Sequence, residues 1–152
     1  MSATGEGAPM QETDAAERAQ RQAAAMQEAD EVSRSLDIRI SGVASGLATA
    51  RMLVTKSMVN GYGVCHGGYL FLLADTAFAY ACNTHGAPVV GAGADATFLA
   101  LAREGEELVA TANERVLQGR SGVYDVTVRR GTEVIVEFRG RSRALSAPPE
   151  RM

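Results

Sequence analysis

The stretch GGYLFLLADTAFAYACNT, residues 67–84, contains one charged side chain, that of Asp75. Its length and its almost wholly apolar composition predict a helix that is buried on every side. His85-Gly86 and Pro88 follow it and are typical of a helix end. An ionised carboxylate in such a helix is costly unless it has a partner or a use. We therefore expect either a structural acid with a hydrogen-bond partner or a functional carboxylate at Asp75.

A polar cluster lies directly before the predicted helix, in the loop 56–65 and at the helix start. Its members are Asn60, His66, Gly67 and Gly68. Backbone amides at a helix N-terminus carry partial positive charge and can stabilise an oxyanion. Together with a nearby carboxylate, such a cluster predicts an acyl-transfer site that performs hydrolysis. The simpler interpretations are a turn residue for Asn60 and a capping or packing residue for His66.

The spacing of these groups predicts a site that two subunits share. Gly67 and Asp75 are eight residues apart, which is about 12 Å along a helix axis. An oxyanion donor and an attacking group must both lie about 3 Å from one reacting carbon. Two antiparallel helices related by a two-fold axis would set Asp75 of one chain opposite Gly67 of the other. A second subunit would also cover the helix face that a single curved sheet leaves open.

Composition argues against several other classes of function. The chain has 152 residues and a net charge of −3, so it lacks the basic surface that nucleic-acid binding needs. Cys65 and Cys82 lack zinc-ligand spacing and are expected to be reduced core residues. The N-terminus has no basic region before an apolar stretch, and Asp75 interrupts the longest apolar run. We therefore expect a cytoplasmic protein that binds neither nucleic acid nor membranes.

The chain divides into one domain with a short tail at each end. Residues 1–12 are small and polar and are expected to be disordered, and residues 146–152 are expected to form a C-terminal tail. The domain itself spans residues 13–145. It is long enough for a single hydrophobic core.

Within the domain, the pattern of apolar residues predicts an α+β fold. The first element is an Ala-rich helix over about 13–35, which starts near Thr13 and is solvated except near Met26 and Val32. One strand is predicted before the central helix and four strands after it, where Val, Thr, Phe and Tyr are frequent. The five predicted strands are 44–54, 89–101, 107–117, 122–130 and 133–145.

The loop and the helix together resemble the signature of a known family. VNGYGVCHGGYLFLLADTAFAYACNTHG, residues 59–86, strongly resembles the signature of the hotdog-fold acyl-CoA thioesterases of the phenylacetate-degradation type. GRSGVYDV (119–126) and FRGRSR (138–143) resemble the closing strands of the same family. The resemblance covers about residues 25–145 and has no departure at the motif positions.

The resemblance implies a hotdog fold, in which five antiparallel strands wrap around a long central helix. It also implies a homotetramer built from two hotdog dimers, with active sites between subunits. The implied reaction is hydrolysis of an acyl-CoA thioester, preferably phenylacetyl-CoA or a ring-hydroxylated relative. No metal or redox cofactor is expected, because CoA is part of the substrate.

The resemblance also implies roles for individual residues. The Gly67 amide would polarise the thioester carbonyl, and Asp75 would act as general base for water or as nucleophile. Asn60 would orient the water or the thioester, and His66 would hold the loop and the Gly67 amide in place. Thr76 would hydrogen-bond the water or the carboxylate, unless its hydroxyl only bonds back to a helix carbonyl.

A second set of residues is expected to contact the substrate. Gly68 and Phe71 would border the acyl group, with a core position as the alternative for Phe71. CoA carries phosphates, so cationic side chains and glycine-rich backbone are expected to receive it. The candidates there are Arg120, Ser121, Gly122 and Arg139, with Arg141 and Arg143 on the same strand face as Arg139. Their simpler interpretation is a solvated, charged strand face.

Three alternative functions stay open at the level of sequence. The acyl group could be a medium chain or another aryl group, because small differences in pocket volume decide this choice. A hotdog enoyl-CoA hydratase or dehydratase would use His66 as its base. A non-catalytic acyl-CoA binding protein on the same fold would keep the pocket without turnover.

Overall fold

Residues 8–147 form six strands and three α-helices in the computed structural model, which describes this part of the chain and its side chains from residue 12 onward. The helices are α1 (Ala8–Ala29), α2 (Glu31–Ser35) and α3 (Gly67–Cys82). The strands are β1 (Arg39–Ala44), β2 (Leu47–Leu53), β3 (Val89–Phe98), β4 (Glu107–Gln118), β5 (Ser121–Arg130) and β6 (Glu133–Ala144). The predicted α+β class is confirmed, and the central helix and the last four strands lie within a few residues of their predicted bounds.

The six strands belong to one antiparallel sheet in the order β1-β2-β4-β5-β6-β3. The helix α3 packs on one face of this sheet, mainly against β2, β4 and β5. This is the expected hotdog arrangement, in which an antiparallel sheet wraps around a long central helix. At the end of the sheet, β3 pairs with β6 alone, so its other edge is unpaired within the described part of the chain.

Small side chains on the sheet let α3 lie close to it. Ala48 and Ala50 of β2 and Ala110 and Ala112 of β4 are fully buried in the same core as the helix. The buried side chains of the helix are Leu70, Leu73, Ala74, Ala77, Phe78, Tyr80, Ala81 and Cys82. Burying one side chain of the size of Leu or Phe contributes about 1.5–3 kcal/mol, so this contact is the main source of core stability.

One stripe of α3, here called the open stripe, is left at least partly uncovered by the sheet. Its members are Gly68, Phe71, Leu72, Asp75 and Ala79, which are exposed or half-buried. They recur at intervals of three or four residues and therefore share one side of the helix. The expectation that a single sheet covers only part of this helix is confirmed, and Asp75 lies on the uncovered side.

The predicted count of five strands is wrong, because β1 was not expected. Its sequence RISGVA lacks an alternation of apolar and polar residues, and none of its residues is fully buried. Gly42 has a positive φ of 58°, and the pairing with β2 shifts register between Ser41 and Ala44. A short edge strand with a bulge leaves little periodic signal in a sequence.

The N-terminal helix begins earlier than predicted and is divided in two. The helix α1 starts at Ala8, so residues 8–12 are helical and do not belong to a disordered tail. The proline in its first turn is compatible with a helix start, where a missing amide hydrogen is not needed. The predicted helix 13–35 breaks at Asp30, whose side chain caps α2 by accepting the Ser33 amide at 3.1 Å.

The N-terminal helix docks on the core through small residues. Ala19 and Ala23 are buried, and Met26 is half-buried against the core as predicted. Val32 is 52% exposed, so the prediction that it docks is wrong, and the buried Ala19 and Ala23 contradict the prediction that the helix before Met26 is solvated. The short α2 turns this side chain to solvent because the chain breaks at Asp30 before it.

Three further predictions concern the two tails, the cysteines and membrane-spanning helices. Residues 1–7 and 148–152, which belong to the two predicted tails, lie outside the described residues. Cys65 and Cys82 are both buried and free, as predicted. Among residues 8–147, no helix is both long enough and apolar enough to cross a bilayer.

Gly140 of β6 provides a test of the packing between α3 and the sheet. A Cβ atom at this position would lie 2.7 Å from carbon atoms of the Phe78 ring. We expect Gly140→Ala to lower the free energy of unfolding by about 1–3 kcal/mol, because the ring must shift in a close-packed core. Urea unfolding at a fixed protein concentration measures this change.

Gly61→Ala is the matched control for this substitution. Nothing lies within 4 Å of the Cβ position of Gly61, and its φ is not positive. We expect its unfolding free energy to stay within about 0.5 kcal/mol of wild type, as for other surface substitutions. Equal stability of the two variants would contradict the described contact between Gly140 and Phe78.

Candidate active site

His66 caps the start of α3. Its Nδ1 atom accepts a hydrogen bond from the Gly68 amide at 2.8 Å, and its carbonyl oxygen accepts from the Tyr69 amide at 3.0 Å. A nitrogen that accepts carries no proton, so the helix start holds the His66 ring in one orientation. His66 is therefore a capping residue through its Nδ1 atom, as the simpler interpretation predicted. Its Nε2 atom bonds to no described residue.

The Gly67 amide is left without an acceptor. The three amides that follow it all donate to His66, through its ring or its carbonyl oxygen. Within the described part of the chain, the Gly67 N–H donates to nothing. It lies in the first turn of α3, where the helix dipole favours negative charge. An oriented free donor at this place is what stabilisation of an oxyanion requires.

Asn60 organises the loop before the helix. Its Oδ1 atom accepts the amides of Tyr62 at 3.0 Å and Val64 at 3.4 Å. The His66 amide donates to the Met58 carbonyl at 2.8 Å, which closes the loop at its other end. The turn interpretation thus applies to the Asn60 oxygen. Its Nδ2 group donates to no described residue, so this end of the carboxamide is available to water or a thioester.

Asp75 is a carboxylate without a hydrogen-bond or ion-pair partner among the described residues. Desolvation raises the pKa of its carboxyl group above the ordinary value. One turn before and one turn after it on the open stripe lie Phe71 and Ala79, which are apolar. Asp75 reaches the surface of the single chain, but these neighbours keep part of the water away. The absence of a partner disfavours a structural acid, which would need one.

Thr76 uses its hydroxyl proton within the helix. Its Oγ1 atom donates to the Leu72 carbonyl at 2.7 Å, which is the simpler of the two interpretations that the sequence allowed. The oxygen keeps its lone pairs, so it can accept a hydrogen bond from water. It cannot donate to the Asp75 carboxylate while the bond to Leu72 is present.

An apolar cavity of about 350 Å³ opens beside the helix start. Its lining residues are His66, Gly68, Tyr69 and Leu72. Phe71 lies on the open stripe, and its ring packs edge-on against Phe138 with 5.2 Å between the ring centroids. Gly68 therefore borders an apolar space at the helix start, while Phe71 contacts the core and remains 37% exposed.

Phe98 also lies at the helix start, and nothing in the sequence indicated it. Its ring atom Cζ is 3.4 Å from the position that a Cβ atom on Gly67 would occupy. Phe98 is the last residue of β3 and is 51% exposed. The contact depends on how β3 lies along α3, which local sequence patterns do not contain.

One chain does not bring all the predicted catalytic residues together. Asn60, His66 and Gly67 lie at the start of α3, as the sequence suggested. Asp75 and Thr76 lie about two turns further along the same helix, roughly 12 Å from Gly67 at the normal helical rise. The single chain thus holds the two halves of the constellation apart, one at the start of α3 and one about two turns along it.

Arg139, a candidate for binding CoA phosphates, lies on the other side of the sheet. Phe138 packs against a ring of α3, so Arg139 points to the opposite face. There it donates to both carboxylate oxygens of Asp125, at 2.7 and 2.9 Å. Arg141 likewise donates to Asp95 at 2.7 Å. The predicted shared face is present, and most of its positive charge is compensated within the chain.

The turn between β4 and β5 holds the remaining candidates. Arg120 is exposed and donates through Nε and Nη2 to the Ala144 carbonyl, at 3.2 and 3.1 Å. Ser121 is exposed beside it. Gly122 is buried, and a Cβ atom there would lie 2.6 Å from Oγ of Ser142. Packing therefore requires this glycine, whereas Arg120 and Ser121 remain accessible to a ligand.

Comparison with known sequences relates this site to a family. Residues 62–137 match the thioesterase superfamily. The chain is 41% identical over 129 residues to the acyl-coenzyme A thioesterase PaaI of Escherichia coli K12, which covers 84% of this chain and 92% of that protein.

Solved structures agree with the sequence comparison. The E. coli PaaI protein from the phenylacetic acid degradation operon has a TM-score of 0.84 and 39% identity, over 86% of this chain and 96% of that chain. A mutant of the phenylacetic acid degradation protein PaaI from Thermus thermophilus has a TM-score of 0.74 and 30% identity, over 76% of this chain and 100% of that chain. The chain therefore belongs to the thioesterase superfamily and, within it, to the hotdog-fold acyl-CoA thioesterases of the phenylacetate-degradation type, which makes it a thioester hydrolase.

Proposed function

We propose that this protein hydrolyses phenylacetyl-CoA, or a ring-hydroxylated phenylacetyl-CoA, to the free acid and CoA in the degradation of phenylacetate. One observation carries the proposal: among the described residues, the Gly67 amide at the start of α3 has no acceptor, and the Asp75 carboxylate on the open stripe has no partner and is partly desolvated. The similarity to PaaI supports an acyl-CoA thioester as the substrate.

The proposed reaction applies these two groups to one carbonyl. The thioester oxygen accepts a hydrogen bond from Gly67, which stabilises the tetrahedral intermediate. As general base, Asp75 takes a proton from water while the water oxygen attacks the carbonyl carbon; the C–S bond then breaks and the thiolate takes the proton. As nucleophile, Asp75 attacks the carbon itself, the thiolate leaves, and water hydrolyses the resulting anhydride. Both routes yield the carboxylic acid and the thiol of CoA.

Three further residues assist in this proposal. Asn60 orients the water or the thioester through its Nδ2 group, since its oxygen already accepts two loop amides. His66 keeps the Gly67 amide in place through the cap on Gly68. Thr76 accepts a hydrogen bond from the water, because its own proton is given to Leu72.

The proposed site is shared between subunits of a homotetramer that consists of two hotdog dimers. The open stripe of α3 and the unpaired edge of β3 are both available to a second copy. Two copies related by a two-fold axis can pair their β3 edges and set their α3 helices side by side in opposite directions. Asp75 of one chain would then lie opposite Gly67 of the other, which overcomes their separation within one chain.

The CoA end of the substrate is assigned on charge. Among the described residues, Arg120 donates only to a carbonyl oxygen, so its charge remains available for a phosphate, with Ser121 beside it. Arg139 is the weaker candidate because Asp125 neutralises it. The proposed reaction uses no metal or redox cofactor. We place the protein in the cytoplasm, as its composition suggests.

Thiol release from a panel of aryl- and alkyl-CoA esters tests this function. We expect a higher kcat/KM for phenylacetyl-CoA than for medium-chain esters. Asp75→Asn should lower kcat by about 100- to 10,000-fold, because the base or nucleophile is lost. The matched control is Asp95→Asn, which removes a carboxylate paired with Arg141 on the far side of the sheet and should leave turnover unchanged.

Other outcomes of this panel are equally informative. Turnover of alkyl esters alone would support thioester hydrolysis but would identify an alkyl-CoA as the substrate. Absence of thiol release with every ester would contradict the proposal. Water addition to an enoyl-CoA would then indicate a hydratase with His66 as base, and tight binding without turnover would indicate an acyl-CoA binding protein.

The raised pKa of Asp75 predicts a stability effect of the same substitution. A carboxyl group whose pKa is higher in the folded state stabilises the fold below its unfolded pKa and loses this contribution as the pH rises. At pH 8 the folded chain therefore holds a desolvated carboxylate, whereas Asn carries no charge. We expect Asp75→Asn to raise the Tm relative to wild type at pH 8, and by less at pH 5. Thermal unfolding at both pH values measures this, and a lower Tm of Asp75→Asn at pH 8 would contradict it.

Mixed subunits test whether the site is shared. Asp75→Ala and Asn60→Ala chains are inactive alone if each residue is needed, but a mixed dimer regains one site with both residues intact. Random pairing of equal amounts should restore about a quarter of the wild-type sites, because half of the dimers are mixed and half of their sites are intact. No rescue after verified subunit mixing, or full activity of a proven monomer, would refute sharing.

A further inference from the structure

Phe98 lies against the backbone of Gly67, the residue that carries the proposed oxyanion donor. Three atoms of its ring, Cζ, Cε1 and Cε2, lie 3.4, 3.6 and 3.8 Å from the position of a Cβ atom on Gly67. These are ordinary van der Waals distances, so the ring adjoins the Gly67 backbone. The ring is nevertheless 51% exposed in the single chain. A large apolar surface thus lies beside a free hydrogen-bond donor.

The course of β3 explains why this residue reaches the helix start. Ala96 of β3 pairs with Phe138 of β6, and Phe138 contacts the ring of Phe71. A Cβ atom on Gly91 would lie 3.4 Å from Phe78, further along α3. The strand therefore runs beside α3 in the opposite direction, and its last residue comes next to the first residue of the helix.

The side chains along this course change in size at Phe98. Ala94 and Ala96 precede it on the same face of β3, since alternate residues share a face, and both are half-buried against the core. The side chains that β3 presents to α3 are therefore small at Ala94 and Ala96. A large aromatic side chain follows only at Phe98, where the strand reaches Gly67.

An acyl group held by the Gly67 amide must lie near this ring. A carbonyl oxygen that accepts from the amide is about 3 Å from the nitrogen, and the α-carbon of the acyl group is two bonds from that oxygen. The substituent on the α-carbon then starts within a few ångströms of the Phe98 ring. A phenyl group on that carbon can reach ring-to-ring contact distance.

We propose that Phe98 forms the aromatic wall of the acyl pocket and is a specificity residue that favours aryl over alkyl acyl groups. This inference rests on the proposed thioester hydrolysis, because the Gly67 amide positions the acyl group. Aromatic pairs add about 0.5–1.5 kcal/mol beyond the burial of their area. Such a contact corresponds to roughly a 2- to 12-fold preference for an aryl group.

The ratio of kcat/KM for phenylacetyl-CoA to that for hexanoyl-CoA tests the inference. Phe98→Leu keeps an apolar side chain but removes the ring, so the ratio should fall by roughly 2- to 12-fold. Phe98→Tyr keeps the ring and should retain the ratio of the wild type. Leu99→Ala is the matched control, since Leu99 is the next residue along the chain and its side chain is 57% exposed; its ratio should not change.

Three results would overturn the inference. A ratio in Phe98→Leu equal to that of wild type would remove Phe98 from the acyl pocket. Equal losses with both esters, together with a change of oligomeric mass in light scattering, would make the ring a packing residue between subunits. If the wild type releases thiol from no CoA ester, the proposed function itself is refuted. If the wild type is active and the ratio is unaltered in Phe98→Leu, only the inference about Phe98 is refuted.

Discussion

A helix that is apolar on every side cannot be covered by one sheet, and this constraint governs the rest of the molecule. The sheet buries one side of α3 against small side chains of β2 and β4. The open stripe remains, with Phe71, Leu72 and Asp75 on it. Apolar surface in water costs about 25 cal/mol per Å², so a second copy on this stripe would stabilise both chains. The surface that favours association is thus the surface that carries the carboxylate.

The start of α3 shows how local hydrogen bonding prepares a donor. A helix N-terminus has free amides, and a capping side chain normally satisfies one of them. His66 takes the Gly68 amide, and the next two amides bond to the His66 carbonyl oxygen. Asn60 satisfies two amides of the preceding loop. The Gly67 amide has no acceptor among the described residues because it is the first amide of the helix, where no intrahelical carbonyl is available. The hydrogen bonds of its neighbours hold the surrounding backbone in place.

The parts of this structure that the sequence predicted are those with strong local signals. The apolar stretch around Asp75 predicted α3, and frequent Val, Thr, Phe and Tyr predicted the last four strands. The edge strand β1 has no alternation, and its Gly42 bulge removes what little period it had. The break at Asp30 was missed because helix formers continue on both sides of it. Both of these failures occur where a single residue changes the direction of the chain.

The candidate site follows the same division between local and distant information. Asn60, His66 and Gly67 lie within a few residues of one another, so a linear motif contains them. Phe98 is close to Gly67 only because β3 returns along α3. Arg139 was a reasonable phosphate ligand by charge, but its pairing with Asp125 across the sheet is a property of strand register. Contacts that depend on register or on the return of a strand require the fold.

The position of Asp75 links the assembly of the protein to its chemistry. A general base works best when its pKa approaches the working pH, and desolvation moves a carboxyl group in that direction. The single chain already raises the pKa of Asp75 by desolvation. A second subunit on the open stripe would remove more water from the carboxylate and strengthen it as a base, while its Gly67 amide would supply the oxyanion donor. Subunit association would then do two things at once: it would complete the geometry of the site and tune the group that acts in it, at a cost in stability that the apolar contact around Asp75 offsets.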